Sequence, residues 1–202
     1  MTALEWNLGL NNTYETGIDR GVLFPYNEYG VAWSGLTNVS KKQQSIQTTT
    51  LHYEGMPFDI LDDSENRTMV LSAYTYPDVF DELLGVYVDD RGFMYGEQPR
   101  GWFSMAYRTL IRQGPDYKIN VVMNQKAYAT AGEHATIGGS VAPTTFTWEM
   151  SGIPIHVMGK STTFMSFDSR LIRPKTFKEI ENTLYGTKTR DSSFKEFLEY
   201  MN

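Results

Sequence analysis

Asp19 and Arg20 stand side by side in the stretch ETGIDRGVLFP (Glu15 to Pro25), between Gly17 and Gly21. A carboxylate and a guanidinium on a glycine-rich loop could grip an anion or share a proton. No lysine and no helix start follows, so a phosphate cradle is not the reading. The two glycines are expected to permit tight backbone turns. In an extended chain Asp19 and Arg20 point to opposite sides. Each then needs its own partner, one within the subunit and one on a neighbour.

Glycoside hydrolysis needs two carboxylates on one cleft. The candidates are Asp62 with Asp63, Asp78 with Asp81 or Glu82, and Asp89 with Asp90. Each has a simpler local account. Asp62-Asp63-Ser64 and Asp89-Asp90-Arg91-Gly92 read as turns, where Asp bonds nearby backbone. Asp78 and Asp81 suit a helix N-terminus. Asp89, Asp90 and Gly92 also lack the ligand count and closing Glu of a calcium loop. His52, His134 and His156 lie far apart in different contexts, so a metal site is not expected. The nucleophile elbow, P-loop, dinucleotide fingerprint and H-E-x-x-H motifs are absent. No catalytic residue, metal or cofactor is assigned.

Trp6, Trp33, Trp102 and Trp148, with 13 tyrosines, could form a glycan platform. Strand-borne aromatics more often fill a core or an interface. Arg100 precedes a strand, and Asp168, Arg170 and Arg173 sit at a strand's end. Asp-x-Arg places both side chains on one strand face, a spacing for an ion pair at a rim or interface.

The whole chain has 202 residues, 41% hydrophobic and 14% aromatic, which bounds it to one domain or one domain with an appendage. The net charge of -6 argues against ordinary nucleic-acid binding, which needs a basic footprint. Cysteine is absent, so disulfides and thiolate chemistry are too. MTALEWNLGL has neither a basic nor a long apolar segment, so no signal peptide is expected, and no apolar run is long enough to span a membrane. The sequons at Asn11, Asn38 and Asn66 read as chance matches.

Period-two alternation dominates the chain. Met69, Leu71 and Ala73 share a face, as do Phe103, Met105, Tyr107, Thr109 and Ile111. Tyr117, Ile119, Val121 and Met123 form a third face, and Phe146, Trp148 and Met150 a fourth. Short turns separate these runs, which argues for an antiparallel β-sandwich or barrel. Residues 41–50 and 123–144 read as polar loops or a hairpin tip. Residues 76–85 allow a short helix. Residues 176–185 read as a helix opened by a Thr176/Glu179 capping box and ended by Gly186. The last stretch offers a second box, Ser193/Glu196, with Phe194, Phe197, Leu198 and Met201 as an apolar stripe. That stripe must dock on its own domain or on a neighbour. The organisation is a β domain over 1–186, including the 176–185 helix, and a helical tail over 187–202.

GIDRGVLFP, GVAWSGL, AYTYPDVF, GEQPRGWFSMAYRT, FTWEM, FDSR and LYG follow one another in order across residues 17–186. Together they resemble the major tail (tail tube) proteins of long, non-contractile-tailed bacteriophages. Ala32 and Ser34 depart from that pattern, and residues 187–202 fall outside it. The resemblance implies a β-sandwich with a flanking helix that forms hexameric rings stacked into a hollow tail. Its partners would be other copies of itself, the tape measure, the terminator and the tail tip, with genomic DNA only in transit. The place would be the virion tail, after synthesis in the host bacterial cytoplasm. Asp19, Arg20, Trp33, Arg100, Asp168 and Arg170 are the expected subunit-interface residues. Asp62, Asp63, Glu65, Asp89 and Asp90 are the expected lumen acids, since like charge lowers friction with phosphate. The rival readings are another tail component (terminator, distal tail or baseplate hub) and a glycan-binding or glycan-cleaving module.

Overall fold

The computed structural model describes residues 14–42, 48–53, 56–62, 68–111, 115–130 and 143–202. These form strands β1 (Glu15–Pro25), β2 (Val31–Trp33), β3 (Leu36–Lys42), β4 (Thr48–Tyr53), β5 (Met56–Asp62) and β6 (Thr68–Ala73). Helix α1 (Val79–Leu83), β7 (Tyr87–Val88), β8 (Met94–Tyr95), β9 (Phe103–Ile111) and β10 (Tyr117–Ala129) follow. β11 (Phe146–Gly152), β12 (Ile155–Val157), β13 (Lys160–Thr162), β14 (Phe164–Asp168), α2 (Pro174–Tyr185) and α3 (Phe194–Met201) complete the order.

The main sheet runs β2-β1-β9-β10-β11-β6-β3, with β14 also on β10, and every pairing is antiparallel. Its two faces feed two cores. One holds Leu23, Trp33, Leu71, Phe103, Met105, Trp148 and Met150, with Phe80 and Leu83 of α1 lying against them. The other holds Phe24, Ala106, Ile119, Val121, Met123 and Phe167, covered by α2 and α3. The central strand β9 is therefore buried on both faces, and its period-two pattern sorts residues between two apolar layers.

Two bulges decide which side chain enters which core. Ile18 and Leu23 lie on the same core although their numbers differ in parity. The pairing of β1 with β9 shifts between Asp19 and Val22, and Arg20 has φ 48°. One extra residue there returns the odd-numbered side chains to the face that Ile18 occupies. β10 repeats the device: Asn124 has φ 50°, the register with β9 shifts between Val122 and Gln125, and Val122 and Ala127 reach the same core. Gly17, at φ 81°, sits at the other irregularity of β1. The glycines thus shape one continuous bulged strand rather than the expected turns.

Gly21 is present for space. A Cβ there would lie 2.5 Å from Leu36 Cδ1 and 2.7 Å from the Trp33 carbonyl oxygen. The sheet curls until β1 approaches β3 across this glycine. Gly21→Ala is expected to cost about 1–3 kcal/mol through forced separation. Urea denaturation would measure it, and an unchanged midpoint would contradict the tight approach.

Other expectations are corrected. The helix read as 176–185 begins at Pro174, with Arg173 as N-cap and no side-chain cap, so the Thr176/Glu179 box does not form. Pro174 occupies the first turn, where its fixed φ and missing N–H cost nothing, and starts the helix early. The loop read over 123–144 begins later, because β10 continues to Ala129 against β11. Residues 131–142 lie outside the described residues. Of residues 41–50, Lys41 and Lys42 belong to β3 and 48–50 to β4, with 43–47 outside the described residues. Ser193 does cap α3, accepting from the Glu196 N–H at 3.3 Å. The α3 stripe docks on its own chain: Phe197 is fully buried, with Phe194, Leu198 and Met201 packed beside it. The Gly30 N–H also donates to the Ser192 carbonyl at 2.8 Å.

Candidate functional site

The segment with the most concentrated polar chemistry is the bulge of β1, facing α2. Asp19 lies opposite Arg108 of β9, whose Nε donates to Asp19 Oδ1 at 2.7 Å and whose second nitrogen reaches Oδ2. The Arg108 guanidinium lies 4.5 Å from the centre of the Tyr117 ring. Tyr117 donates its hydroxyl to Glu181 of α2 at 2.9 Å, and Lys178 Nζ donates to the other Glu181 oxygen at 2.9 Å. Arg20 stands 3.9 Å from Glu181 with more than half its side chain exposed. The bulge thus brings Asp19 and Arg20 into one layer, not onto opposite sides, and both meet partners within this chain. Beside them a cleft of about 580 Å³ opens between β1 and β3, lined by Ile18, Arg20, Ala32, Leu36 and Tyr185. The buried Tyr185 hydroxyl has no hydrogen-bond partner among the described residues, and burial pushes its pKa up.

The remaining expected site residues are scattered. Trp33 is 2% exposed, its Nε1–H donating to the Thr75 carbonyl at 2.7 Å. The interface expectation for its side chain is therefore corrected: it fills the core against Phe80 and Trp148. Arg100 is exposed and stacks over Tyr128 at 4.5 Å. Asp168 and Arg170 form the forked pair that their spacing suggests, at 3.0 and 2.7 Å. Asp89 accepts from the Arg91 and Phe93 N–H groups, both at 2.9 Å, and pairs with the Arg91 guanidinium. Asp90 is exposed. Asp62 ends β5, while Asp63 and Glu65 lie outside the described residues.

The charges of this arrangement are largely paired with one another. Glu15, Asp19, Asp89, Asp168 and Glu181 each face a cation. Among the described residues no three acidic or histidine side chains group as a metal site would. Trp148 is a core residue like Trp33, and Trp102 is half-buried under Lys126. The glycan platform therefore loses these two tryptophans, and Trp6 lies outside the described residues.

Electrostatics give a pH dependence with a definite sign. The Lys118 hydrogen bond holds the Glu15 pKa below its ordinary 4.5, and the Arg170 fork holds Asp168 below its ordinary 3.8. At Glu181 burial opposes ionisation, yet Lys178, Tyr117 and Arg20 outweigh it and the pKa is lowered. Groups depressed on folding add stability above their unfolded pKa and lose it as pH falls through the folded value. Asp81 has the opposite sign: burial, assisted by Asp78, raises its pKa against a Tyr76 hydrogen bond. Thermal melts are expected to be flat from about pH 7 to 5 and to fall below about pH 4.5. Asp81→Asn is expected to raise stability, and with it Tm, slightly at neutral pH, the gain being less than about 1 kcal/mol after solvent screening, with no gain in acid. A lower Tm at neutral pH would contradict the raised Asp81 pKa.

The bulges and the Asp19–Arg108 pair were not foreseeable from local pattern. Arg108 lies 89 residues from Asp19, and only the sheet order makes them neighbours. Tyr117 and Glu181 meet in the same way.

The class these features define is a mainly β protein: a curled antiparallel sheet with a small helix against one core and two helices covering the other. No family model matches the chain, and no curated protein sequence matches it. Among solved structures it is similar to a chain of the six-fold symmetrised baseplate of the anti-feeding prophage, at 11% identity and TM-score 0.42, covering 83% of this chain and 100% of that one. It is also similar to a chain of the extended sheath-tube complex of an extracellular contractile injection system, at 10% identity and TM-score 0.41, covering 74% and 88%. Hcp1 from Flavobacterium johnsoniae aligns at 13% identity and TM-score 0.35, covering 72% of this chain and 99% of that one. At these scores the topology rests on the strand pairing above rather than on the likeness.

Proposed function

We propose that this chain is a structural subunit of a phage-type tail, self-assembling into hexameric rings that stack as a tube for the passing genome. One structural observation supports the reading beside the ordered sequence motifs. β3 pairs only with β6 among the described residues, so beyond Leu36, which lies against Gly21 of β1, its outer edge has no strand partner there. The β3–β6 ladder ends with Lys42 opposite Thr68, and the β4–β5 ladder begins with Thr48 opposite Asp62. Residues 43–47 and 63–67 are equal in number, so both ladders fit one register. A strand edge without a partner, followed in the chain by the β4–β5 hairpin, suits addition of strands between subunits. Rings would close through such edges. They would stack through residues 41–50 and 126–140, of which Lys41, Lys42, 48–50 and 126–129 lie on described strands. The net charge of -6 would keep the conduit from holding DNA. In this reading the chain works by assembly and needs neither catalytic residue nor cofactor.

Negative-stain microscopy of the purified full chain tests it. Six-fold rings or long hollow tubes are expected. Single rings that never stack would point instead to a terminator or another ring component of the tail. A monomer at high concentration, unchanged by added tail tips, would overturn the proposal.

A further inference from the structure

The β7–β8 hairpin carries an exposed aromatic surface. Tyr87, Phe93, Met94 and Tyr95 are 58%, 55%, 68% and 42% exposed. Large exposed apolar patches on soluble proteins mark contacts. The hairpin is also held in shape: Asp89 takes the Arg91 and Phe93 N–H groups, the Arg91 guanidinium and the Tyr95 hydroxyl. A pre-shaped surface loses less entropy when it binds. Its surroundings are acidic. From residue 78 to 100 the chain holds Asp78, Asp81, Glu82, Asp90 and Glu97 besides Asp89. Arg91 is engaged with Asp89, and Arg100 lies over Tyr128.

The complement lies at the far end of the sheet. Leu171 is 83% exposed in the turn between β14 and α2. The Asp168–Arg170 fork and the Leu171 N–H bond to the Asp168 carbonyl at 3.1 Å fix this turn. Arg173 and Lys175 are exposed beside it and form no ion pair among the described residues. The two surfaces sit at opposite ends of β9. Hairpin-side Gly101 bonds α1 just before Phe103. Asp168 pairs with Lys118, which pairs with Thr109. Phe103 and Thr109 are about 20 Å apart along β9, at roughly 3.3 Å per residue.

We infer that copies of this chain join head to tail, the acidic aromatic β7–β8 hairpin of one copy seating on the basic Leu171 turn of the next. This deepens the self-assembly reading and rests on it. One copy cannot satisfy both surfaces itself, because they are separated along the strand. Two hairpins facing each other would set like charges together, which disfavours head-to-head pairing. A contact between different surfaces at opposite ends extends without closing, the geometry a stack requires. Asp89 and Asp90 then belong to a contact between copies and not to the lumen.

The cysteine-free chain allows a clean test. Met94→Cys and Leu171→Cys are made separately at exposed positions, and the full-length proteins are mixed and mildly oxidised. The expected product is a disulfide-linked pair of one 94 variant with one 171 variant, and the double variant should give a ladder of multimers on a non-reducing gel. Rings or tubes that form with only 94–94 or 171–171 links, or with no link, would overturn this contact while leaving self-assembly standing. A chain that stays monomeric at high concentration would overturn both. A second readout needs no cysteine. Arg173→Glu with Lys175→Glu is expected to raise the concentration needed for assembly on the order of tenfold. Adding Asp90→Lys and Glu97→Lys should restore it. No loss in the first variant, or no recovery in the second, would also overturn the contact.

Discussion

Phe80→Ala is expected to be among the most destabilising single substitutions in this chain, at about 3–5 kcal/mol. Phe80 is fully buried on the five-residue helix α1. Its ring centroid lies 4.6 Å from that of Trp33, 5.2 Å from Trp148 and 5.5 Å from Phe103. These partners come from three separate strands, so one side chain joins β2, β11 and β9 to the helix. Truncation removes the transfer energy of the ring and leaves a cavity that rigid aromatic neighbours close poorly. A helix this short has little stability of its own and depends on that packing. Leu83→Ala, 7% exposed on the same helix, is expected to cost less, about 2–3 kcal/mol. Urea denaturation followed by tryptophan fluorescence separates the two. Equal losses, or a loss below about 1 kcal/mol for Phe80, would show that α1 is an ornament on the sheet rather than part of its core.

What the residues disclosed in advance follows physical range. Period-two alternation is local, so β6, β9, β10 and β11 and their paired faces were readable from Met69, Phe103, Ile119 and Trp148 outward. Capping was half readable. Ser193 bonds the backbone three residues on, as its motif implies, but Glu196 turns to Arg190 at 2.9 Å rather than back to Ser193. Thr176 lost its capping role to Pro174, whose ring fixes the backbone more strongly than a hydroxyl can. The positive-φ bulges at Arg20 and Asn124 gave no signal, because neither residue is glycine and the need for a parity change arises only when the sheet order is known. The polar cluster was half visible: Asp19 and Arg20 stood out by their setting, whereas Arg108, Tyr117, Glu181 and Tyr185 are joined to them only by tertiary contact.

Asp19 and Arg20, adjacent in sequence, are expected to behave as opposites. Asp19→Ala should destabilise the fold by about 2–3 kcal/mol, because it strips from Arg108, whose side chain is 13% exposed, the only carboxylate that it pairs with among the described residues. The figure lies below that of a deeply buried pair because the Asp19 side chain is 37% exposed and water can partly replace it. Arg20→Ala should cost less than about 1 kcal/mol, since a 3.9 Å contact from a largely exposed side chain is screened. Arg20→Gly should cost no more, because glycine adopts the φ of 48° without strain. Reversal of Asp19 is therefore a folding defect first. Only Arg20 variants can report on contacts between subunits without confusion from instability. A double-mutant cycle on Asp19→Ala and Arg108→Ala should show coupling of about 1–3 kcal/mol, because either change alone strands the other group. Additive losses would mean the two side chains are solvated separately. A larger loss for Arg20→Ala than for Asp19→Ala would mean that the bulge, not the ion pair, holds β1 in place.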